Sequence, residues 1–378
     1  MEKSVLRKQR TQARPQPKQK NLVRGASQNR RNIIVFVVLT ILIVFSIALY
    51  IFSRTYAHSL RLGIEMTTQA FHSIMGRTIP AMIGMAAAGG IIAMVSLAFQ
   101  TITQSRILTP SMIGFDSVFI GTQTLLVFLF GAFTPFFMNP IRNFFVTSGV
   151  MVVISMLMFG AILRRGKNNI IFLLMFGLVL SGIVSNGARY IQSLMSFHDF
   201  YQVQAATAVT VMNMNTDVIH VAWPMIIGVA ILMMLRHRTL DVMSLGAEQA
   251  KSLGVSYHRE MNYMLVLVSV GMSVATAMIG TLTFLGLLVV NASRELLKTH
   301  KHLPLFLCSA GVAIFTLIMG SAIEQLLTGG IQLAPVLNLL PFVQVTDFTL
   351  QIAIPLTTII NLVGCSYVFY LILKENRL

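Results

Sequence analysis

An all-α membrane protein with about ten spanning helices is what this sequence predicts, on three observations. Only 11% of its 378 residues are charged while 55% are hydrophobic, whereas about a quarter of a soluble domain is charged. The apolar residues come in long blocks. Ile33 to Phe52 is twenty residues without a charge, which matches the ~20 that a helix needs to cross a bilayer. The polar stretches between blocks are short, and the longest interior one, about 236–261, is too small to fold as a soluble domain.

The elements follow in order. Residues 1–31 hold ten Lys or Arg against one acid, Glu2, together with Pro15 and Pro17. This composition predicts a disordered basic tail. Its charge reads as a positive-inside topology signal, and the same charge attracts anionic lipid at about 1 kcal/mol per Lys or Arg. No aromatic or motif context points to nucleic acid. It is not a signal peptide, because the apolar stretch that follows is too long and lacks a small-residue cleavage site. Residues 32–378 then form one polytopic transmembrane domain. Its clear apolar blocks are about 33–52, 80–100, 112–131, 144–163, 170–190, 218–235, 262–280, 305–323 and 352–373, with a shorter one at about 282–293.

Charge orients these spans, since Lys and Arg collect in cytoplasmic loops. With the tail inside, Arg164-Arg165-Gly166-Lys167 and the block from Arg236 to Glu260 fall inside. Counting 282–293 as a crossing also places Lys298-Thr299-His300-Lys301, Lys374 and Arg377 inside. Ten spans and two cytoplasmic termini are therefore expected. Arg54, Arg61 and Arg77 stand as outer exceptions.

The run Gly84-Met85-Ala86-Ala87-Ala88-Gly89-Gly90 offers small side chains for close helix packing or for lining a pore. Pro224 and Pro355 lie inside apolar blocks, where they predict kinks. Outer stretches near 191–217 and 324–350 have room for short helices. Cys308 and Cys365 have no CxxC spacing and read as small packing residues.

Catalytic patterns are missing. Gly160 to Lys167 has one residue too many for a phosphate-binding loop, and Asn168 follows the lysine. HExxH and GxSxG are absent. His300 and His302 sit in a basic loop and are expected to be solvated. Asp116 is expected near a helix start, hydrated at the interface. No carboxylate falls clearly at mid-membrane, which weighs against an ion-coupled secondary transporter. A membrane-embedded enzyme would need clustered His, Asp or Glu. A passive channel would need a filter-like loop or a ring of charges.

Two polar segments stand out. One runs from Phe99 to Asp116 between the second and third spans. The other runs from Leu240 to Val255 and reads as a short amphipathic helix broken by Gly246 and Gly254. Leu245, Ala250 and Leu253 can share one face of it, with Glu248, Gln249 and Lys251 on another. Such an element serves either as a lever for a partner protein or as an interfacial helix resting on lipid.

The second segment resembles the coupling helix of the FecCD-like permeases, which import iron chelates and vitamin B12. Ser244, Leu245, Gly246, Ala250, Leu253 and Gly254 carry the resemblance. Three further stretches are similar to the family in the same order: Phe99 to Gly114, Gly280 to Arg294, and Asn361 to Lys374. The sequence departs at Arg106-Ile107-Leu108-Thr109, where most members have Asn-Pro-Leu-Ala, and at Val290-Asn291, where most have Pro-His. This variant spelling resembles the catecholate or petrobactin-type siderophore branch.

The resemblance implies a type II ABC importer permease with ten helices, in a bacterial cytoplasmic membrane. It implies a central pathway shared with a sister permease or a second copy, and two ATPase subunits docked on the coupling helices. ATP acts through those partner chains, and no cofactor is bound directly. An extracellular binding protein delivers a ferric siderophore; heme and corrinoid importers are the same-family alternatives. Leu245, Gly246 and Leu253 would seat the coupling helix, and Glu248 and Gln249 would add polar contacts. Arg77 is the implied docking residue for the binding protein, although the second basic position of that motif is Ala81 here.

Overall fold

A computed structural model describes residues 17–62, 68–132, 134, 139–164, 170–209, 215–329, 331–332, 349–350 and 355–375. These residues form α1 (Pro17–Leu62), α2 (Thr68–Ile102), α3 (Phe115–Phe130), α4 (Pro140–Arg164), α5 (Ile170–Leu194), α6 (Phe197–Thr207) and α7 (Thr216–Leu235). After them come α8 (His237–Met243), α9 (Ala247–Ser252), α10 (Tyr257–Ile279), α11 (Leu285–Leu297), α12 (His302–Gly329) and α13 (Leu356–Glu375). Among the described residues, six helices are long and apolar enough to cross a membrane: α1, α2, α4, α7, α10 and α12. Helices α3 and α13 are shorter and apolar, and α5 and α11 occupy the two remaining blocks read from the sequence. Each of the ten blocks thus falls on a helix. Ile331–Gln332 and Thr349–Leu350 pair as a two-residue antiparallel ladder.

Some boundaries differ from the sequence reading. Helix α1 begins at Pro17, inside the stretch expected to be a disordered tail. Pro17 stands where its missing N–H needs no helical partner, and the Lys, Gln, Arg and Ala that follow are good helix formers. Residues 1–16 lie outside the described residues. Helix α2 starts at Thr68 and carries Pro80 inside it. Pro224 lies inside α7 as expected. Pro355 does not kink a helix; it precedes α13, and its carbonyl accepts from the N–H groups of Thr358 and Ile359. The expected outer helix near 191–217 is α6. Its Ser196 cap accepts from the Asp199 N–H at 3.2 Å and donates to the Asp199 carboxylate at 2.7 Å, which anchors the first turn.

Helix α2 lies at the centre of the packing, touching α7, α10, α11 and α12. Of its most apolar window, 78% is buried. The small-residue run explains this depth. A Cβ added at Gly89 would come within 2.6 Å of Leu317 Cδ1 on α12, so the two backbones approach as closely as the missing side chain allows.

Two departures from helix lie inside the bundle. Helix α11 has only 13 residues, about 20 Å at 1.5 Å per residue, short of the ~30 Å hydrocarbon thickness. The α2–α3 connection runs alongside α11 to meet the α10–α11 turn at 280–284. Asn291 Nδ2 donates to the Arg106 carbonyl at 3.0 Å, and Thr283 Oγ1 donates to Asp116 Oδ2 at 2.5 Å. Asp116, expected to be hydrated at the interface, is instead 9% exposed. It sits in the first turn of α3, where a carboxylate is favoured by the helix dipole. The sequence does not show this meeting, because the bonded residues lie 185 and 167 positions apart.

Gly280 makes the turn, with φ 93° and ψ −169°, a region essentially reserved for glycine. A Cβ there would also meet the Ala208 carbonyl oxygen at 3.1 Å, just beyond α6. Gly280→Ala is expected to cost about 1–3 kcal/mol of stability. It should lower the thermal midpoint of the detergent-solubilised protein, and an unchanged midpoint would remove the strain argument.

Candidate functional site

Chain connectivity builds a short two-helix arm between α7 and α10. Helix α7 ends at Leu235, and Arg236 caps it through N–H bonds to Met233 and Met234. Helix α8 then runs seven residues. Ser244 Oγ donates back to the Asp241 carbonyl at 2.7 Å, which closes the helix. Gly246 reverses the chain at φ 102° and ψ 163°, again in the glycine-only region. Its carbonyl accepts from the Ala250 N–H at 3.0 Å and starts α9. A second turn through Leu253 and Gly254 leads into α10.

The arm has a buried root and an exposed tip. Leu240, Met243 and Ala250 are fully buried. Leu245 and Leu253 are 53% and 62% exposed, and Ser244, Glu248, Gln249 and Lys251 are exposed with them. This corrects the expected face: Ala250 does not join the two leucines but points into the bundle. The segment is also two helices rather than one broken helix. Two exposed leucines about a glycine turn, rimmed by polar side chains, make a surface suited to an apolar groove on another protein.

Several contacts hold the root. Asp241 Oδ1 accepts from the His302 backbone N–H at 2.7 Å and lies 2.6 Å from His302 Nδ1. His302 Nε2 lies 2.8 Å from Thr101 Oγ1 at the end of α2. Gln104 Nε2 donates to the Met243 carbonyl at 3.0 Å and to the Thr101 carbonyl at 2.9 Å. Arg236 pairs with Glu260 at 3.0 Å and lies over the Tyr263 ring at 5.3 Å. His302 is thus not the solvated loop histidine that the sequence suggested; it is 3% exposed and has an acidic partner. Its partner is 61 positions away, so no local pattern could have announced the pair.

Arg77 is exposed on α2. Twenty-five residues separate it from Ile102 along one helix, about 38 Å at the helical rise. It therefore sits at the opposite membrane face from the α8–α9 arm, and the structure does not bring the two together. Ala81, one turn further, is 2% exposed. Among the described residues, no group of three or more His, Cys, Asp or Glu is placed to hold a metal ion.

With this geometry in place, the FecCD transport family matches residues 33–374. The chain belongs to the FecCD transport family. It is 35% identical over 289 residues to the petrobactin import system permease protein YclO of Bacillus subtilis strain 168, covering 76% of this chain and 85% of that protein. It is 34% identical over 259 residues to the petrobactin import system permease protein FatC of Bacillus anthracis, covering 68% of this chain and 73% of that protein. FatD, also a petrobactin import system permease protein of Bacillus anthracis, is 26% identical over 215 residues, 56% of this chain and 61% of FatD. A solved structure described as an inward-facing metal-chelate type ABC transporter shares the fold. Its TM-score is 0.68 at 17% identity, covering 91% of this chain and 99% of that one. The FecCD chain is thus a multi-pass membrane permease with the all-α architecture read from its sequence.

Cysteines placed along the arm test its two-sided geometry. Leu245→Cys and Leu253→Cys should react with a water-soluble maleimide at least ~10-fold faster than Ala250→Cys, because access sets thiol reactivity. Equal rates at all three positions would contradict the buried root.

Proposed function

We propose that this FecCD permease carries a ferric siderophore across a bacterial cytoplasmic membrane as the membrane-spanning subunit of an ABC importer. The observation that carries this reading is the 35% identity to a petrobactin import permease over 85% of that protein's length. The exposed arm supports it by offering a partner a compact apolar tip on a fixed root. Two ATPase chains dock on this arm and on that of a second permease, and ATP is bound only by them. FatC and FatD both match this chain, which favours a sister permease as the second subunit. Ten crossings place both termini on one side, and the Lys and Arg of the arm and the adjoining loops make that side the cytoplasm. Arg77 then faces outward, where a binding protein delivers the chelate.

The mechanism is positional rather than chemical. ATP draws the ATPases together, the arms move with them, and the helix bundle changes which side of the pathway is open. A ligand shifts such an equilibrium only by binding one state better. Here ATP on the partner supplies that difference, and Leu245, Gly246 and Leu253 transmit it. Glu248 and Gln249 supply polar contacts at the rim.

Uptake of radioactive iron from a panel of ferric catecholates and hydroxamates, in cells with and without this chain, tests the reading. Catecholate uptake should require the chain. Gly246→Asp should reduce that uptake ~10-fold or more while the protein remains in the membrane, since a side chain at this φ costs about 1–3 kcal/mol and re-aims the tip. Uptake that is unchanged for every chelate would set aside the siderophore reading and direct the test to heme and corrinoids. Separately, Arg77→Glu should weaken docking of the binding protein, and an unaltered affinity would remove Arg77 from that role.

A further inference from the structure

We infer that Asp241, His302 and Thr101 form the link that passes motion of the α8–α9 arm to α2 and α12. The inference rests on the reading of this arm as the ATPase contact. By the chain alone, the arm can pull only on α7 and α10, to which it is joined. Its strongest polar attachments lead elsewhere. Asp241 holds the first residue of α12 twice, through the backbone N–H at 2.7 Å and the ring Nδ1 at 2.6 Å. The ring's other nitrogen reaches the Thr101 hydroxyl at 2.8 Å. That hydroxyl is also 2.9 Å from the Leu97 carbonyl, within the last turn of α2. One imidazole therefore joins three helices.

The surroundings make this connection stiff. His302 is 3% and Thr101 6% exposed, so water does not compete for the bond between them and low local dielectric strengthens it, while Asp241, 32% exposed, holds the other edge of the ring from the arm. Gln104 runs as a second strut between the same elements, from the Thr101 carbonyl to that of Met243. It keeps φ at 50°, a conformation that a non-glycine residue holds only when its surroundings enforce it. Beyond the link, α2 and α12 pack at Gly89 and Leu317 closely enough to move together. An apolar side chain at 302 would fill the same space without a desolvation penalty. The polar ring is needed only if both of its edges must be held.

The complex reconstituted in vesicles with its ATPase and binding protein tests this link. The quantity to read is ferric chelate transported per ATP hydrolysed. Asp241→Asn, His302→Gln and Thr101→Val should leave assembly and ATP hydrolysis in place and lower that ratio about 10-fold, as expected for loss or weakening of one hydrogen bond at His302. Thr101→Ser should keep the wild-type ratio. A wild-type ratio in Asp241→Asn and Thr101→Val overturns the link. So does a parallel fall of transport and hydrolysis that follows the amount of assembled complex, which is the signature of a purely structural role. Failure of wild-type transport would instead count against the proposed function. A transport-independent arm covers that case, with spin labels at the exposed positions 248 and 303. Their distance distribution should be narrow in the wild type and about twice as wide in Asp241→Ala, because the bonded contact that fixes it is gone. Equal widths overturn the link whatever the substrate.

Discussion

A backbone amide in hydrocarbon finds no water, so any residue that crosses the bilayer must pair its own N–H and C=O within the protein. That condition makes ten helices of the ten apolar blocks. It also decides where the chain can leave the helix. Residues 103–114 and 280–284 do so between packed helices, and their polar groups find partners on neighbouring elements. Thr103, Gln104 and Ser105 bond back to the end of α2. Asn291 supplies a donor for the Arg106 carbonyl. Thr283 meets Asp116 where α3 and α11 both begin. Non-helical backbone is stable here because neighbouring side chains take the place of water.

The same constraint shapes the arm. A permease that is pushed from outside needs a segment reaching beyond the apolar zone yet firmly tied to it. Helices α8 and α9 are too short to be stable alone, so tertiary contacts must hold them. Leu240, Met243 and Ala250 anchor them by burial, and Asp241 and Gln104 anchor them by hydrogen bonds. What remains free is the tip at Leu245 and Leu253. Rigidity at the root and exposure at the tip come from one division of side chains along the twenty-one positions, 236–256, between two spans.

Much of this was legible in the sequence, and the parts that were not share a cause. Long apolar blocks reveal spans because hydrophobicity is a local property. Gly246 and Gly254 marked the turns of the arm for the same reason, since a glycine requirement is set by the residue's own φ. Ala250 was misassigned because helical spacing gives a face but not its direction, and the break at Gly246 rotates α9 away from a continuous wheel. His302 and Asp116 were misread because their partners, Asp241 and Thr283, are 61 and 167 positions away. Helix α11 was visible only as a short block, and the 103–114 loop only as a polar segment, because its tie to α11 joins residues 185 positions apart.

The two departures from the family's common pattern meet in space, which changes how they should be understood. Most FecCD-like sequences spell the first loop Asn-Pro-Leu-Ala and the later stretch Pro-His. This chain has Arg106-Ile107-Leu108-Thr109 and Val290-Asn291. Far apart in sequence, they are joined by the Asn291 amide, which donates to the Arg106 carbonyl at 3.0 Å and to the Leu287 carbonyl at 3.0 Å. Isoleucine rather than proline at 107 gives the loop an N–H and frees the residue before it from the restriction proline imposes. Placing asparagine at 291 supplies a side chain that fixes that residue's carbonyl from α11. In this chain the two positions are therefore bonded to one another. The loop beside α11 is thus tied to that helix by a side-chain amide that holds a backbone carbonyl, a bond that needs asparagine at 291 and not a particular side chain at 106.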